Sequence, residues 1–201
     1  MTEYLKSYIP AIKSIIPQTS PTPSTLPEID SKAPSLPGLD LEKEGKPTLI
    51  AFVRHCGCPF AEKEINLLSE ETQKNDHLRV VIVQHAERKQ VDKWFDEIGG
   101  SKLFPDSTRF TLIPDPTREL YAKWGIGQLG WGGMINSGIM DNLKKLKEND
   151  GIDLRQTGTG SYRWQNSGGF AVSSEGTIKW RKIAKDSSDI CDYFEAAKTV
   201  I

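Results

Sequence analysis

The sequence predicts an α/β fold in which a mixed central sheet lies between two layers of helices. A continuous apolar run, residues 49–53, and a second run, residues 78–83, that is apolar except for Arg79, are typical of strands that are buried on both faces, as in parallel sheets. Each run is followed by an amphipathic segment of helical length, residues 60–72 and 87–98. Near the C-terminus two further apolar runs flank a polar turn at residues 174–176, and this hairpin adds antiparallel strands to the sheet.

The first forty residues differ in composition from the rest of the chain. Residues 1–16 place apolar side chains near helical spacing, with an interruption at Pro10. They predict either a short helix that docks on the body or on a second subunit, or a frayed leader. Residues 17–40 hold half of the twelve prolines and many serines and threonines, which predicts an extended linker or a wrapping arm. We therefore divide the chain into an N-terminal arm, residues 1–40, and one domain, residues 41–201.

The elements of the domain are predicted in the order β-α-β-α-β-α, an insertion, and β-β-α. After the two strand–helix pairs, residues 110–113 form a third strand, and Asp115-Pro116 opens a helix that reaches Trp124. A glycine-rich insertion covers about residues 127–166, with a helix expected over 140–148, and a tract of this length is usually functional or mobile. The remaining predicted elements are the hairpin strands, 170–172 and 177–183, and a closing helix, 187–200.

The most informative motif is Cys56-Gly57-Cys58-Pro59, where the first strand leads into the helix that follows it. Proline suits the first helical position, where its missing N–H costs nothing. A thiol directly before it faces unpaired backbone N–H groups and the positive end of the helix dipole, which favour the thiolate. Arg54 and His55 could add positive charge from the upstream side. The motif predicts sulfur chemistry at Cys58, and a small buried core cysteine is the alternative.

Cys56 is the nearest partner for Cys58 along the chain. A disulfide between the two would close a tight ring and needs a bent backbone, which Gly57 permits. The strain in such a ring would make the bond easy to reduce. In the alternative, Cys56 is a variable loop residue and Cys58 works alone. His55, beside the motif, is a candidate base or thiolate partner, or else a solvent-exposed residue at the strand end.

The sequence allows two interpretations for Cys191 and two for the aromatic residues of the insertion. Cys191 lies in the predicted closing helix beside Tyr193, where it either packs in the core or serves as a resolving cysteine. Trp131, Tyr162 and Trp164 of the insertion either line a pocket over the thiols or pack as a satellite cluster on the fold.

Composition argues against several classes of partner and site. The chain has 26 basic and 27 acidic residues and no basic block, so neither nucleic acid nor an anionic membrane is expected as a partner. No apolar run approaches the roughly 20 residues that cross a bilayer, and the first residues lack the pattern of a secretory signal. Three cysteines make no disulfide scaffold, so a reducing, cytoplasmic setting is expected. The motif lacks zinc-site spacing, and we expect neither a metal nor a cofactor.

Three segments resemble a known family. Residues 58–62, Cys-Pro-Phe-Ala-Glu, are similar to the peroxidatic loop of peroxiredoxins, in which Cys-Pro-x-x-Glu opens a helix. Residues 113–126 are similar to that family's Asp-Pro-x-x-x-Leu-x-x-x-aromatic-Gly segment, and residues 163–172 with 176–180 to its closing hairpin. Over about residues 41–200 the chain therefore resembles the thioredoxin fold, in its peroxiredoxin-like branch of the AhpC/TSA type.

The sequence departs from these relatives at positions close to the sulfur. Peroxiredoxins place Thr or Ser three residues before the peroxidatic cysteine, where this chain has His55, and an arginine before the closing strand, where it has Ser167. Thioredoxins keep a cis-proline where this chain has Gly168-Gly169. Arg54 and Arg163 are the candidates to replace the missing arginine in space.

The motifs and the resemblance together imply a thiol-dependent oxidoreductase that reduces peroxides or exchanges disulfides. The Cys58 thiolate would attack the substrate, and Cys56, Cys191 or an external small thiol such as glutathione would resolve the product. The alternative is a non-catalytic binding protein that holds a small molecule with the insertion and uses the arm to form a homodimer or to recruit a partner. A third hypothesis is an enzyme whose pocket performs non-redox chemistry. The candidate catalytic residues are Cys58, Cys56, His55 and Arg54. The candidate substrate-binding residues are Pro59, Trp131, Arg163, Trp164, Gly168 and Gly169.

Overall fold

A five-stranded mixed sheet forms the centre of the protein. The computed structural model describes residues 3–201, with side chains from Tyr8 onward. The strand order is β3-β2-β1-β4-β5, with β1, β2 and β3 parallel and the hairpin strands β4 and β5 antiparallel. The predicted α/β class with a mixed central sheet is therefore confirmed. The strands are β1 Thr48–Phe52, β2 Arg79–Gln84, β3 Phe110–Pro114, β4 Gly168–Val172 and β5 Ile178–Ile183.

The helices lie between and around these strands. Among the described residues none is long and apolar enough to cross a membrane. The larger helices are α1 Glu3–Ser14, α2 Pro59–Lys74, α3 Arg88–Glu97 and α7 Ser137–Asp150. The shorter helices are α4 Gly100–Leu103, α5 Glu119–Lys123, α6 Trp131–Met134 and α8 Tyr193–Lys198.

The two faces of the sheet carry separate cores, which gives the molecule three layers. Side chains alternate along β1, so Leu49 and Ala51 pack with helices α2, α3 and α8 on one face. Ile50 and Phe52 pack on the opposite face with Trp124 and residues of the N-terminal arm. Every residue of β1 and β2 is buried, as their apolar runs predict.

The N-terminal arm lies along the body and is hydrogen-bonded to it. Ser24 N–H donates to the carbonyl oxygen of Ala122 at 2.8 Å, and Asp30 N–H donates to that of Ile178 at the same distance. Leu36 is only 4% exposed and belongs to the second core. This is the arrangement of a wrapping arm, the second of the two alternatives for this tract. The division of the chain near residue 40 stays a prediction.

Helix α1 continues through Pro10, where the sequence suggested an interruption. Residues 1 and 2 and the side chains of residues 3–7, which the predicted helix includes, lie outside the described part of the chain. The C-terminal end of α1 docks on the body, since Arg163 N–H donates to the carbonyl oxygen of Ser14 at 2.9 Å.

Two predicted helices begin later in the chain than the sequence pattern indicates, and an aspartate side chain accepts hydrogen bonds from the first turn of each. The predicted closing helix over 187–200 is wrong in its extent: α8 starts after Asp192, whose carboxylate accepts from Glu195 N–H at 3.0 Å, so Cys191 precedes it. Phe194, which the pattern puts on the apolar face, is 52% exposed. The helix predicted from Asp115 begins only at Glu119, since the Asp115 carboxylate accepts from backbone N–H groups of its first turn.

Candidate active site

The turn between β1 and α2 presents the sulfur of Cys58. Gly57 has a φ of +88°, and a Cβ there would lie 2.6 Å from the carbonyl oxygen of Gln156, so only glycine fits. Cys58 is the N-cap of α2, with Pro59 in the first helical position as the motif predicts. Its N–H donates to the carbonyl oxygen of His55 at 3.0 Å. The thiol is thus held at the start of a 16-residue helix, next to the positive end of the helix dipole.

Cys58 lies on the floor of a cavity of about 270 Å³, which we call the Cys58 cavity. The floor also contains Arg54, His55, Pro59 and Arg163, so the structure brings these five predicted site residues together. The apolar wall consists of Ile15, Phe60, Met134, Ile135, Ile139, Met140, Leu143 and Leu154.

Cys56 is not among the residues that line the Cys58 cavity. Its thiol sits in the core, with the sulfur 3.9 Å from the carbonyl oxygen of Gln90. Burial raises the pKa of Cys56 to about 12, so the thiol is protonated at neutral pH. Cys56 and Cys58 are free thiols in this structure. The prediction that the two cysteines work as a pair therefore lacks structural support.

His55 is a buried, neutral imidazole. Burial, and to a smaller degree the charge of Arg54, lowers the pKa of His55 well below 6.5. The expectation that His55 adds positive charge, or is exposed at the strand end, is therefore wrong. Its Nδ1 lies 3.0 Å from the carbonyl oxygen of Cys56, which can only accept, so Nδ1 carries the hydrogen and Nε2 keeps its lone pair.

Arg54 and Arg163 supply the positive charge of the floor. Arg54 donates only to backbone carbonyl oxygens, those of Arg163 at 2.8 Å and Gln165 at 3.4 Å. Arg163 donates to the hydroxyl of Thr157 at 2.8 Å, and in both arginines Nε is buried without a partner. Neither forms an ion pair with any described residue. Burial lowers the pKa of Arg163, while attraction to Cys58 opposes that effect.

Sequence reasoning missed the ion pair at the edge of the cavity. Arg155 donates to both carboxylate oxygens of Glu62, at 2.7 and 2.8 Å, in a bidentate arrangement. Glu62 lies in the first turn of α2 and was visible as the last residue of the Cys-Pro-x-x-Glu motif. Arg155 had no signal of its own, because it lies in an irregular part of the insertion.

The N-terminal segment also contributes to the site, which the sequence did not predict. Trp164 Nε1–H donates to the carbonyl oxygen of Ile15 at 2.9 Å, and the Ile15 side chain forms part of the apolar wall. The only sequence signal was the helical spacing of apolar residues before residue 17.

Trp131, Tyr162 and Trp164 are not among the residues that line the Cys58 cavity, which favours the satellite alternative for them, and their role in binding stays a prediction. Tyr162 and Trp164 form a separate buried cluster with Met134, which is the satellite alternative. Trp131 is 72% exposed and rests edge-on against Trp164, with ring centroids 4.5 Å apart.

Gly168 and Gly169, predicted to bind substrate, also lie outside the cavity. A Cβ at Gly169 would come within 3.0 Å of the Cys191 sulfur, and one at Gly168 within 2.8 Å of the Ile183 side chain. Glycine is therefore needed for packing across β4. Cys191 is buried in the core, and burial raises its pKa well above 9.0. Within the described residues, no group of three or more His, Cys, Asp or Glu side chains could hold a metal ion.

Comparisons with known proteins agree with this geometry. The family model described as "AhpC/TSA antioxidant enzyme" matches residues 65–186, a segment that begins after Cys58. No curated protein matches the chain. A thiol peroxidase from Chromobacterium violaceum superposes with a TM-score of 0.54 at 12% identity, covering 89% of each chain. A yeast mitochondrial 1-Cys peroxiredoxin gives 0.52 at 12% identity, covering 86% of this chain and 74% of that one. A peroxiredoxin 6 from Arenicola marina gives 0.51 at 12% identity, with coverages of 79% and 62%. At such identities the structural likeness shows the fold, which confirms the thioredoxin-like architecture.

Proposed function

Since the chain belongs to the AhpC/TSA antioxidant enzyme family, we propose that it is a thiol-dependent peroxidase in which Cys58 is the reacting sulfur. The observation that carries this proposal is the placement of the three thiols. All three thiols are buried and belong to the same core cluster, but of the three it is Cys58 that lines the cavity, at the start of α2 and with two arginines in the same lining. A thiolate is the reactive form, and helix dipole and guanidinium charge both favour it.

In the proposed reaction the Cys58 thiolate attacks one oxygen of a hydroperoxide, ROOH. A sulfur–oxygen bond forms while the oxygen–oxygen bond breaks, and the leaving alkoxide takes a proton from water to give ROH. Cys58 is oxidised to the sulfenic acid and the peroxide is reduced. Arg54 and Arg163 stabilise the negative charge that moves from sulfur to the leaving oxygen. The Nε2 lone pair of His55 accepts a hydrogen bond from the O–H of the peroxide, at the position where peroxiredoxins carry Thr or Ser.

Resolution is proposed to need an external small thiol. The sulfenic acid condenses with this thiol, water leaves, and a mixed disulfide forms. A second thiol then attacks the mixed disulfide, releases the oxidised dimer of the small thiol, and regenerates the Cys58 thiolate. Cys56 is protonated and buried against Gln90, so it is poorly placed for this step. Glutathione is one candidate for the small thiol.

The test compares the reduced wild type with Cys58→Ser, Cys56→Ser and Cys191→Ser. Each protein receives hydrogen peroxide or cumene hydroperoxide with dimedone, and intact mass shows whether a sulfenic acid was trapped. We expect one dimedone adduct in every protein except Cys58→Ser, and peroxide turnover with glutathione that Cys58→Ser abolishes. An adduct in Cys58→Ser equal to that of the wild type would refute the proposal. A glutathione adduct from oxidised glutathione, without any peroxide consumption, would instead indicate thiol–disulfide exchange.

A cytoplasmic location and a homodimer formed through the N-terminal arm stay predictions. Size measurement with and without residues 1–40 tests the second: an unchanged oligomeric mass would exclude the arm as the dimer contact.

A further inference from the structure

The floor of the Cys58 cavity carries more positive charge than the described part of the chain neutralises. Buried charges are normally paired, because an isolated one loses its hydration without compensation. Arg54 is 4% exposed and has only backbone carbonyl partners, and Arg163 has only a hydroxyl partner. Among the described residues neither guanidinium has a carboxylate partner, and His55 supplies no charge. The positive charge on the floor therefore has no carboxylate counter-ion in the described part of the chain.

A neighbouring arginine at the same cavity shows that this imbalance is local. Arg155 also lines the Cys58 cavity, yet Glu62 neutralises it through two hydrogen bonds. Among the arginines of the cavity lining, Arg54 and Arg163 are thus the two without a carboxylate partner in the described part of the chain. Among the described residues, the Nε atoms of Arg54 and Arg163 are buried hydrogen-bond donors without an acceptor.

The rest of the cavity is suited to hydrocarbon. Its apolar wall includes Ile135, Met140 and Leu154, whose side chains are 64%, 57% and 62% exposed. Large apolar side chains grouped around a concave site favour an apolar ligand, since covering them removes that surface from water. The cavity therefore has a cationic floor and a hydrocarbon-like wall.

We propose that the Cys58 cavity binds a monocarboxylate with an apolar chain. The carboxylate lies on the guanidinium of Arg163, with Arg54 beside it, and the chain lies along the apolar wall. This inference names the ligand class of the site discussed above. It rests on the proposed function only for one consequence, that such a carboxylate competes with peroxide for the space over Cys58.

The test measures binding of octanoate, octanol and acetate to the wild-type protein by isothermal titration calorimetry. A hydrogen bond to a charged group contributes about 1.5–3 kcal/mol, so octanoate should bind roughly ten- to hundredfold more tightly than octanol. Acetate keeps the charge but lacks the chain, and should bind more weakly than octanoate. Equal affinity for octanoate and octanol, or no octanoate binding at millimolar concentration, would overturn the inference.

A pair of arginine variants locates the carboxylate. Arg163→Met should weaken octanoate binding about ten- to hundredfold and leave octanol binding unchanged, which also shows that the apolar wall is intact. Arg88→Met is the matched control, because Arg88 is on the exposed face of α3, paired with Asp92, and should leave both affinities unchanged. Wild-type octanoate affinity in Arg163→Met would refute the assignment.

The two proposals can fail separately. Octanoate binding without any peroxide reduction would leave the ligand class standing and refute the peroxidase assignment. Peroxide reduction at Cys58 without a preference of octanoate over octanol would do the reverse.

Discussion

Replacing Glu64 by glutamine should remove a pH dependence of stability that arises from the helix carrying Cys58. Glu64 lies in α2 and is 2% exposed. Its carboxylate accepts a hydrogen bond from Cys191 N–H at 3.2 Å, and the hydroxyl of Tyr193 lies 3.5 Å away. Burial raises the pKa of Glu64 from 4.5 to about 7, although these hydrogen bonds oppose the effect.

The sign and size of the effect follow from linkage. The raised pKa means that the folded state holds the proton which the unfolded chain releases near pH 4.5. Stability from Glu64 is therefore fully present below pH 4.5 and is lost as the pH rises to about 7. Each pKa unit is worth about 1.36 kcal/mol, so the loss for this group is roughly 3 kcal/mol. A glutamine in place of Glu64 keeps an oxygen to accept from Cys191 but has no proton to lose.

The assay is urea unfolding of the wild type and Glu64→Gln between pH 4.5 and 8, followed by tryptophan fluorescence. The difference in unfolding free energy between the two proteins cancels all other titrating groups. As the pH rises from 4.5 to 8, we expect the unfolding free energy of Glu64→Gln to increase by roughly 3 kcal/mol relative to that of the wild type. Glu70→Gln, on the exposed face of α2, is the control and should show no such change. A difference in unfolding free energy between Glu64→Gln and the wild type that does not change with pH would contradict the raised pKa of Glu64.

Two other substitutions test the turn that holds the sulfur. Gly57→Ala should lower the free energy of unfolding by at least about 2 kcal/mol and slow the reaction of Cys58 with peroxide. A residue with a Cβ is strained in the left-handed conformation, and the added atom would collide with the Gln156 backbone. In urea unfolding the control Gly132→Ala, where the added Cβ has open space, should lose less unfolding free energy. Tyr121→Phe should lower the unfolding free energy by about 1–3 kcal/mol, since its buried hydroxyl donates to the Val53 carbonyl oxygen at 2.6 Å. An unfolding midpoint equal to the wild type would contradict either prediction.

The strands and the start of α2 could be predicted because their signals are local. Strands buried on both faces need nearly continuous apolar runs, and β1 and β2 have them. A proline after Cys58 fixes where a helix can begin, whatever the rest of the chain does. The first residues of α5 and α8 were mispredicted, since each helix begins where an aspartate carboxylate accepts hydrogen bonds from the backbone of its first turn. The first residue of each helix therefore depends on the geometry of the turn rather than on apolar spacing.

The charge balance of the site could not be predicted, because it depends on contacts between distant segments. The Arg54 guanidinium donates to the backbone carbonyl oxygen of Arg163, 109 residues away in the sequence. Arg155 donates to the carboxylate of Glu62, 93 residues away. The protonation of His55 was mispredicted for the same reason: the sequence gives its neighbours in the chain but not its burial. Cys56 was paired with Cys58 by proximity in sequence; both thiols belong to the same core cluster, but Cys58 lines the cavity and Cys56 does not.

Family membership and site geometry are independent evidence in this protein. The matched segment begins at residue 65, so neither Cys58 nor the floor residues Arg54 and His55 contribute to the family assignment. Ile15, from the N-terminal arm, also lies outside that segment and still forms part of the wall. The family segment supplies Arg163 of the floor and most of the apolar wall. The cavity is therefore assembled from both parts, and its ligand preference depends on residues that family membership alone does not define.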